Sequence, residues 1–79
     1  MKPINYCRHA RKRMKDRNVS EEEISSVVNR ADYIEFDAKD RKNAYKYIGN
    51  RFIRVTFKEE NDNILIITVT IRKKSFKSF

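Results

Sequence analysis

Arg51-Phe52-Ile53-Arg54-Val55-Thr56-Phe57-Lys58, followed after the polar turn Glu59-Glu60-Asn61-Asp62-Asn63 by Ile64-Leu65-Ile66-Ile67-Thr68-Val69-Thr70-Ile71-Arg72, decides the fold of this 79-residue chain. Successive side chains of a strand point to opposite faces. Counted that way, Ile53, Val55 and Phe57 share a face with Leu65, Ile67, Val69 and Ile71, and every one of them is apolar. The other face carries Arg54, Thr56, Lys58, Thr68, Thr70 and Arg72. An antiparallel pair with one apolar and one polar face expects cover on the first and water or a ligand on the second.

The pattern extends towards the N-terminus as further strands. Gly49-Asn50 is a two-residue turn signal behind a run at 43–48 that alternates around Tyr45 and Tyr47, and a shorter candidate covers 33–37. The region 33–72 therefore reads as a four-stranded antiparallel meander. Before it the period becomes helical. Ser20 with Glu23 three residues on forms a capping box, with Val19 and Ile24 as a hydrophobic staple; Ile24, Val27, Val28 and Ala31 then predict a helix over 21–30. An earlier helix is predicted over 5–17, where Cys7, Ala10 and Met14, with Tyr6 beside them, make a narrow apolar stripe. Cys7 and Met14 read as core residues. The expected architecture is α+β: two N-terminal helices on one face of a four-stranded antiparallel sheet, a single domain over 1–79 ending in a basic tail at 73–79.

Nineteen Lys and Arg against eleven Asp and Glu give a net charge of +8, a balance that favours polyanionic partners. The longest apolar run, Ile64-Leu65-Ile66-Ile67, is far short of the ~20 residues a membrane span needs, and the first residues lack the apolar core of a secretory signal. A cytoplasmic protein with no membrane partner is expected. One cysteine makes no internal disulfide, and one cysteine with one histidine makes a poor zinc site, so neither metal nor cofactor is expected.

The only histidine, His9, lies in the most cationic run, Cys7-Arg8-His9-Ala10-Arg11-Lys12-Arg13-Met14-Lys15-Asp16-Arg17. Like charges four apart, such as Arg8 with Lys12 and Arg11 with Lys15, destabilise an isolated helix by a few tenths of a kcal/mol per pair. That crowding points to a ligand that neutralises it. Imidazole titrates near neutrality, so cations around a histidine suggest phosphodiester chemistry. The tyrosines offer rings for base stacking as well as for packing.

The segment His9-Ala10, Arg13-Met14, Arg17, Val19-Ser20 and Glu23-Ile24 resembles the signature of a family of small bacterial, archaeal and phage proteins. That family is catalogued as a domain of unknown function and linked to BrnT-type and RelE-type toxins. The strand pair 51–57 and 66–73 is similar to the final strands of those toxins, so the resemblance covers nearly the whole chain. It implies a ribonuclease fold of the barnase, EndoU, colicin and RelE type, metal-independent endoribonuclease activity on RNA, and a protein antitoxin as partner. It matches His9 to the family histidine, Arg54 to the arginine of the penultimate strand, and Arg72 with Lys73 to the basic end of the final strand.

The residues suggest the same chemistry. RNA cleavage without metal needs a base for the 2′-hydroxyl, an acid for the 5′-oxygen and cations for the phosphorane. His9 is the candidate base or acid, Arg54 and Arg72 are candidate catalytic cations, and Arg8, Arg11, Lys12, Arg13, Lys58, Lys73 and Lys74 are candidate nucleic-acid contacts. Two other readings stand beside it: a nucleic-acid-binding module without catalysis, and a basic module that holds an acidic partner protein. One conflict is already visible. A helix packed on the apolar face keeps His9 from the centre of the face that carries Arg54, so the two could meet only at a sheet edge or through strong curvature; Arg13, one turn along, needs no such condition.

Overall fold

The computed structural model describes residues 2–37 and 40–72. Its elements are β1 (Ile4–Tyr6), α1 (Arg8–Arg17), α2 (Glu21–Asn29), β2 (Tyr33–Phe36), β3 (Arg41–Ile48), β4 (Arg51–Glu59) and β5 (Ile64–Arg72). The sheet runs β1-β5-β4-β3-β2. The antiparallel meander from β2 to β5 is as expected, and the two helices cover one face of it. Lys73, Lys74 and the rest of the basic tail lie outside the described residues.

The sheet is five-stranded and mixed, which corrects the expected four antiparallel strands. β1 pairs parallel with β5, Ile4 opposite Ile64 and Tyr6 opposite Ile66. The Ile64 N–H donates to Pro3 O at 2.9 Å and the Cys7 N–H to Ile66 O at 3.2 Å. Three residues are too few for their alternation to be read from sequence, and the same stretch also fits the start of a helical stripe. Residues 5 and 6 are consequently strand, and α1 begins only at Arg8.

Cys7 is the reason for that start. Its backbone is extended at φ −76° and ψ 168°, and its Sγ accepts the Ala10 N–H at 3.4 Å. The thiol also donates to Ile67 O at 3.3 Å while packing partly against the core. Cys7 is thus both N-cap and core-edge residue. At the other end Asn18 adopts φ 56° and the Val19 N–H returns to Met14 O at 2.9 Å, a left-handed stop that asparagine tolerates. Ser20 then caps α2 as expected, its Oγ accepting the Glu23 N–H at 3.1 Å while the Glu23 carboxylate accepts the Ser20 N–H at 2.9 Å. α2 closes at Asn29, one residue short of the expected end.

The core joins Ala10, Met14, Val19, Ile24 and Val27 of the helical half to Ala44, Ile53, Val55, Phe57, Ile64, Ile66 and Val69 of the sheet. β4 presents the residues its alternation predicts. β5 does not. Thr56 pairs with Thr68 but Phe57 pairs with Ile66, so the register slips by one residue at Ile67. Such a bulge reverses the facing of everything on one side of it. Ile64 and Ile66 therefore enter the core in place of Leu65 and Ile67, whereas Val69 and Ile71 stay on the expected face. Arg51 ties the two halves together: its guanidinium donates to Asn18 O at 2.9 Å and to the Glu23 carboxylate.

Candidate nucleic-acid interface

α1 has two buried positions, Ala10 and Met14, and the flanks of its stripe carry the charge. Six of its ten residues are Arg or Lys: Arg8, Arg11, Lys12, Lys15 and Arg17 are exposed, and Arg13 is half-buried next to His9. The Arg13 Nε–H donates to His9 Nε2 at 3.4 Å, so the imidazole and the guanidinium lie side by side on the solvent side of α1. The pairing follows from helical spacing, since residues four apart are neighbours on the surface. Arg11 is held differently. It bridges to Glu21 at 3.2 Å and lies over the Tyr6 ring at 4.8 Å, and burial together with Glu21 pushes the Tyr6 hydroxyl pKa up against the opposing effect of Arg11.

Ion pairs divide the remaining cations into two groups. Among the described residues, Lys2 and Lys42 bind Glu59, Arg11 binds Glu21, Arg41 binds Asp37, Lys46 binds Asp32 and Arg51 binds Glu23. No carboxylate partner is found there for Arg8, Lys12, Arg13, Lys15 and Arg17 of α1. The same is true of Arg54, Lys58 and Arg72, which project from the helix-free face, and of Arg30 at the end of α2. The groove beside the α1–α2 link contains Lys15, Lys46 and Arg51, but the last two are already neutralised.

The helix-free face is built by cross-strand neighbours. Arg54 stands between Tyr45 and Thr70, Lys58 opposite Arg41 and Leu65, and Arg72 opposite Phe52. The Arg54 Nε is buried and has no hydrogen-bond partner among the described residues. Thr56 Oγ1 donates to Asn43 Oδ1 at 2.6 Å, which occupies that hydroxyl. Tyr45 is 2% exposed and stacks with Phe52 at 5.7 Å, so it packs, whereas Tyr47 is 50% exposed against Phe52 at 4.6 Å.

The sequence-predicted site residues therefore separate. The structure brings His9 and Arg13 together, with Arg8 and Lys12 on the same helix. It does not bring Arg54 to them, because α1 packs on the face carrying Ile53 and Val55 whereas Arg54 alternates to the other. A single cleft of His9, Arg54 and Arg72 is not what this sheet builds. Sequence reasoning gave Arg51 no role, although it positions the C-terminus of α1; a long cation directly after a turn, level with two helix ends, carries no recognisable signal. Among the described residues no cluster of His, Cys, Asp and Glu is fit to hold a metal ion, and no helix is long and apolar enough to cross a membrane.

A family model described as a domain of unknown function, DUF4258, matches residues 6–71. The chain belongs to the DUF4258 family. The match begins at Tyr6 and ends at Ile71, so it takes in both helices, β2 to β5 and the last residue of β1. No curated protein and no solved structure matches this DUF4258 chain. Both unpaired cationic surfaces of the DUF4258 protein fall largely within the matched span; Arg72 lies just beyond it.

Proposed function

We propose that this DUF4258 protein is an RNA-directed protein of the toxin type, with α1 as the element that follows the phosphate backbone. The observation that carries this reading is that five cations of one short helix, Arg8, Lys12, Arg13, Lys15 and Arg17, have no carboxylate partner among the described residues, the densest such group there. A protein whose fixed charges are not neutralised internally gains affinity by releasing counterions from a polyanion. The sequence resemblance to BrnT-type and RelE-type toxins supports RNA as the polyanion. It also supports an antitoxin as protein partner, one whose acidic segment covers the same helix in the cytoplasm.

The finer reading is metal-independent cleavage centred on His9 and Arg13. When the phosphate binds, Arg13 turns from His9 to a phosphate oxygen; the freed His9 Nε2 takes the proton of a 2′-hydroxyl, the 2′-oxygen attacks phosphorus, the bond to the 5′-oxygen breaks, and water protonates the leaving oxygen. Arg13 carries the charge that develops on the phosphorane, a contribution of the kind that outweighs proton transfer in many enzymes. Arg54 and Arg72, on the helix-free face, serve as a second contact for the same strand. Binding without cleavage is favoured by one specific fact: the imidazole and Arg54 are on opposite sides of the sheet.

One experiment separates the two. Purified protein is incubated with labelled single-stranded RNA in chelator, and both cleavage and affinity are followed for the native chain and His9→Ala. Catalysis is expected to give cleavage that His9→Ala removes while affinity stays within a few-fold. Binding by both proteins with no cleavage establishes the module reading, and no binding by either contradicts the whole proposal.

A further inference from the structure

Tyr33, Ile34, Phe36 and Tyr47 are the exposed large apolar residues of the described chain. Three of these four belong to β2, the outermost strand of the sheet. Phe36 is 78% and Ile34 43% exposed on the helix side, where α2 does not reach. Edge strands are ordinarily blunted by shortness, charged side chains, proline or a bulge. Tyr33-Ile34-Glu35-Phe36 is short and carries one charge, Glu35, on the opposite face, but no lysine or proline, and its helix-side residues are both apolar.

The ladder with β3 fixes which backbone groups are left over. The Asp37 N–H donates to Arg41 O at 2.7 Å, and the register pairs Glu35 with Asn43 and Phe36 with Lys42. Bonded and non-bonded pairs alternate in an antiparallel ladder. Glu35 therefore points its N–H and C=O at β3, and Ile34 and Phe36 point theirs outward. A strand that docks here meets two residues offering four backbone hydrogen bonds, with both side chains on the apolar side.

We infer that this edge pairs with the β2 edge of a second copy of the chain, antiparallel and centred on Glu35. A two-fold axis must place residues of like facing opposite each other. Centring on Glu35 sets Ile34 against the partner's Phe36 twice over and satisfies all four outward groups. Centring on Ile34 would instead direct Phe36 to the partner's Asp32, whose N–H is already given to Tyr45 O at 2.8 Å. The cost of the Glu35 register is one like-charge pair, on the opposite face and open to water.

Charge selects a second copy over an acidic partner. Most unpaired cations lie on α1 and on the helix-free face; near β2 the unpaired Arg30 is matched by the unpaired Glu35, Lys46 pairs with Asp32 and Arg41 with Asp37, both pairs at 3.7 Å. Lys42, above the Phe36 ring at 5.3 Å, is held by Glu59 at 2.9 Å. This edge is the part of a +8 surface where local charges cancel, and charges further off are screened beyond about 8 Å at physiological salt. Two copies can meet here without bringing their cationic helices together.

Sedimentation equilibrium of the full chain over a wide concentration range tests the proposal, with amide exchange read in parallel. A reversible dimer is expected, with the Ile34 and Phe36 amides gaining protection on dimerisation. Phe36→Lys should weaken it by about tenfold or more, and Glu35→Gln should tighten it by about two- to fivefold, the range that cross-strand pair energies allow. Both positions are on the outer strand away from the core, and circular dichroism confirms that the variants fold. A monomer at every concentration overturns the proposal. So does a dimer indifferent to Phe36→Lys, or one that Glu35→Gln weakens.

Discussion

His9 is the residue on which the functional reading turns, and its partner is Arg13. The spacing of four was legible in the sequence, and so were the conflict with Arg54 and the buried stripe of Ala10 and Met14; what the sequence did not show was that Arg13 turns onto the imidazole. If Arg13 stabilises charge during cleavage, Arg13→Gln is expected to lower the cleavage rate by about 10²-fold or more, as loss of one preorganised donor does. A gel assay under single-turnover conditions measures this, and an unchanged rate removes Arg13 from the site. Ser20 and Glu23 were equally legible because a capping box is a local code. Ser20→Ala is expected to cost about 1 kcal/mol of stability, read by urea denaturation. Glu23 adds a pH dependence. The Ser20 backbone bond, with Arg51 behind it, holds the Glu23 carboxyl below the usual glutamate range. Its contribution is therefore complete above the unfolded value of about 4.3 and is lost as pH falls through the lower folded value. Denaturation midpoints should drop below about pH 4.3, and less so in Glu23→Gln.

At the scale of elements, β5 shows where alternation stops being a guide. The run Ile64-Leu65-Ile66-Ile67 is apolar at every position, so nothing in it marks which pair is inside, and a bulge decides the matter. The structure predicts that Ile66→Ala destabilises by about 2–5 kcal/mol, the range for a large-to-small change in a packed core. Ile67→Ala, at a half-buried position, should cost clearly less. Chemical denaturation of both variants checks the order, and a larger loss at Ile67 would place the bulge elsewhere. β1 escaped sequence reading for a related reason, because Ile4 and Tyr6 satisfy both a three-residue strand and the start of a stripe. β2, by contrast, was visible as a strand, but its role as an uncovered edge depends on how far α2 extends across the sheet, which no local pattern reports.

For the molecule as a whole, composition gave only a net charge of +8, while the structure shows how that charge is distributed. Carboxylates neutralise the cations at the sheet margins and leave α1 and the helix-free face unpaired, on opposite sides of one sheet. The two faces make different demands on a ligand: α1 is an exposed helix suited to a backbone, and the other face sets Arg54 and Tyr47 among threonines. The central claim is that α1 is the RNA-binding element. The direct measurement is the salt dependence of single-stranded RNA affinity for the native chain and for Arg8→Gln/Lys12→Gln/Lys15→Gln. With a slope of about −0.7 per contacted phosphate, three lost contacts should make the plot of log affinity against log salt shallower by about 2. An unchanged slope with unchanged affinity would contradict the account and move the interface to the helix-free face.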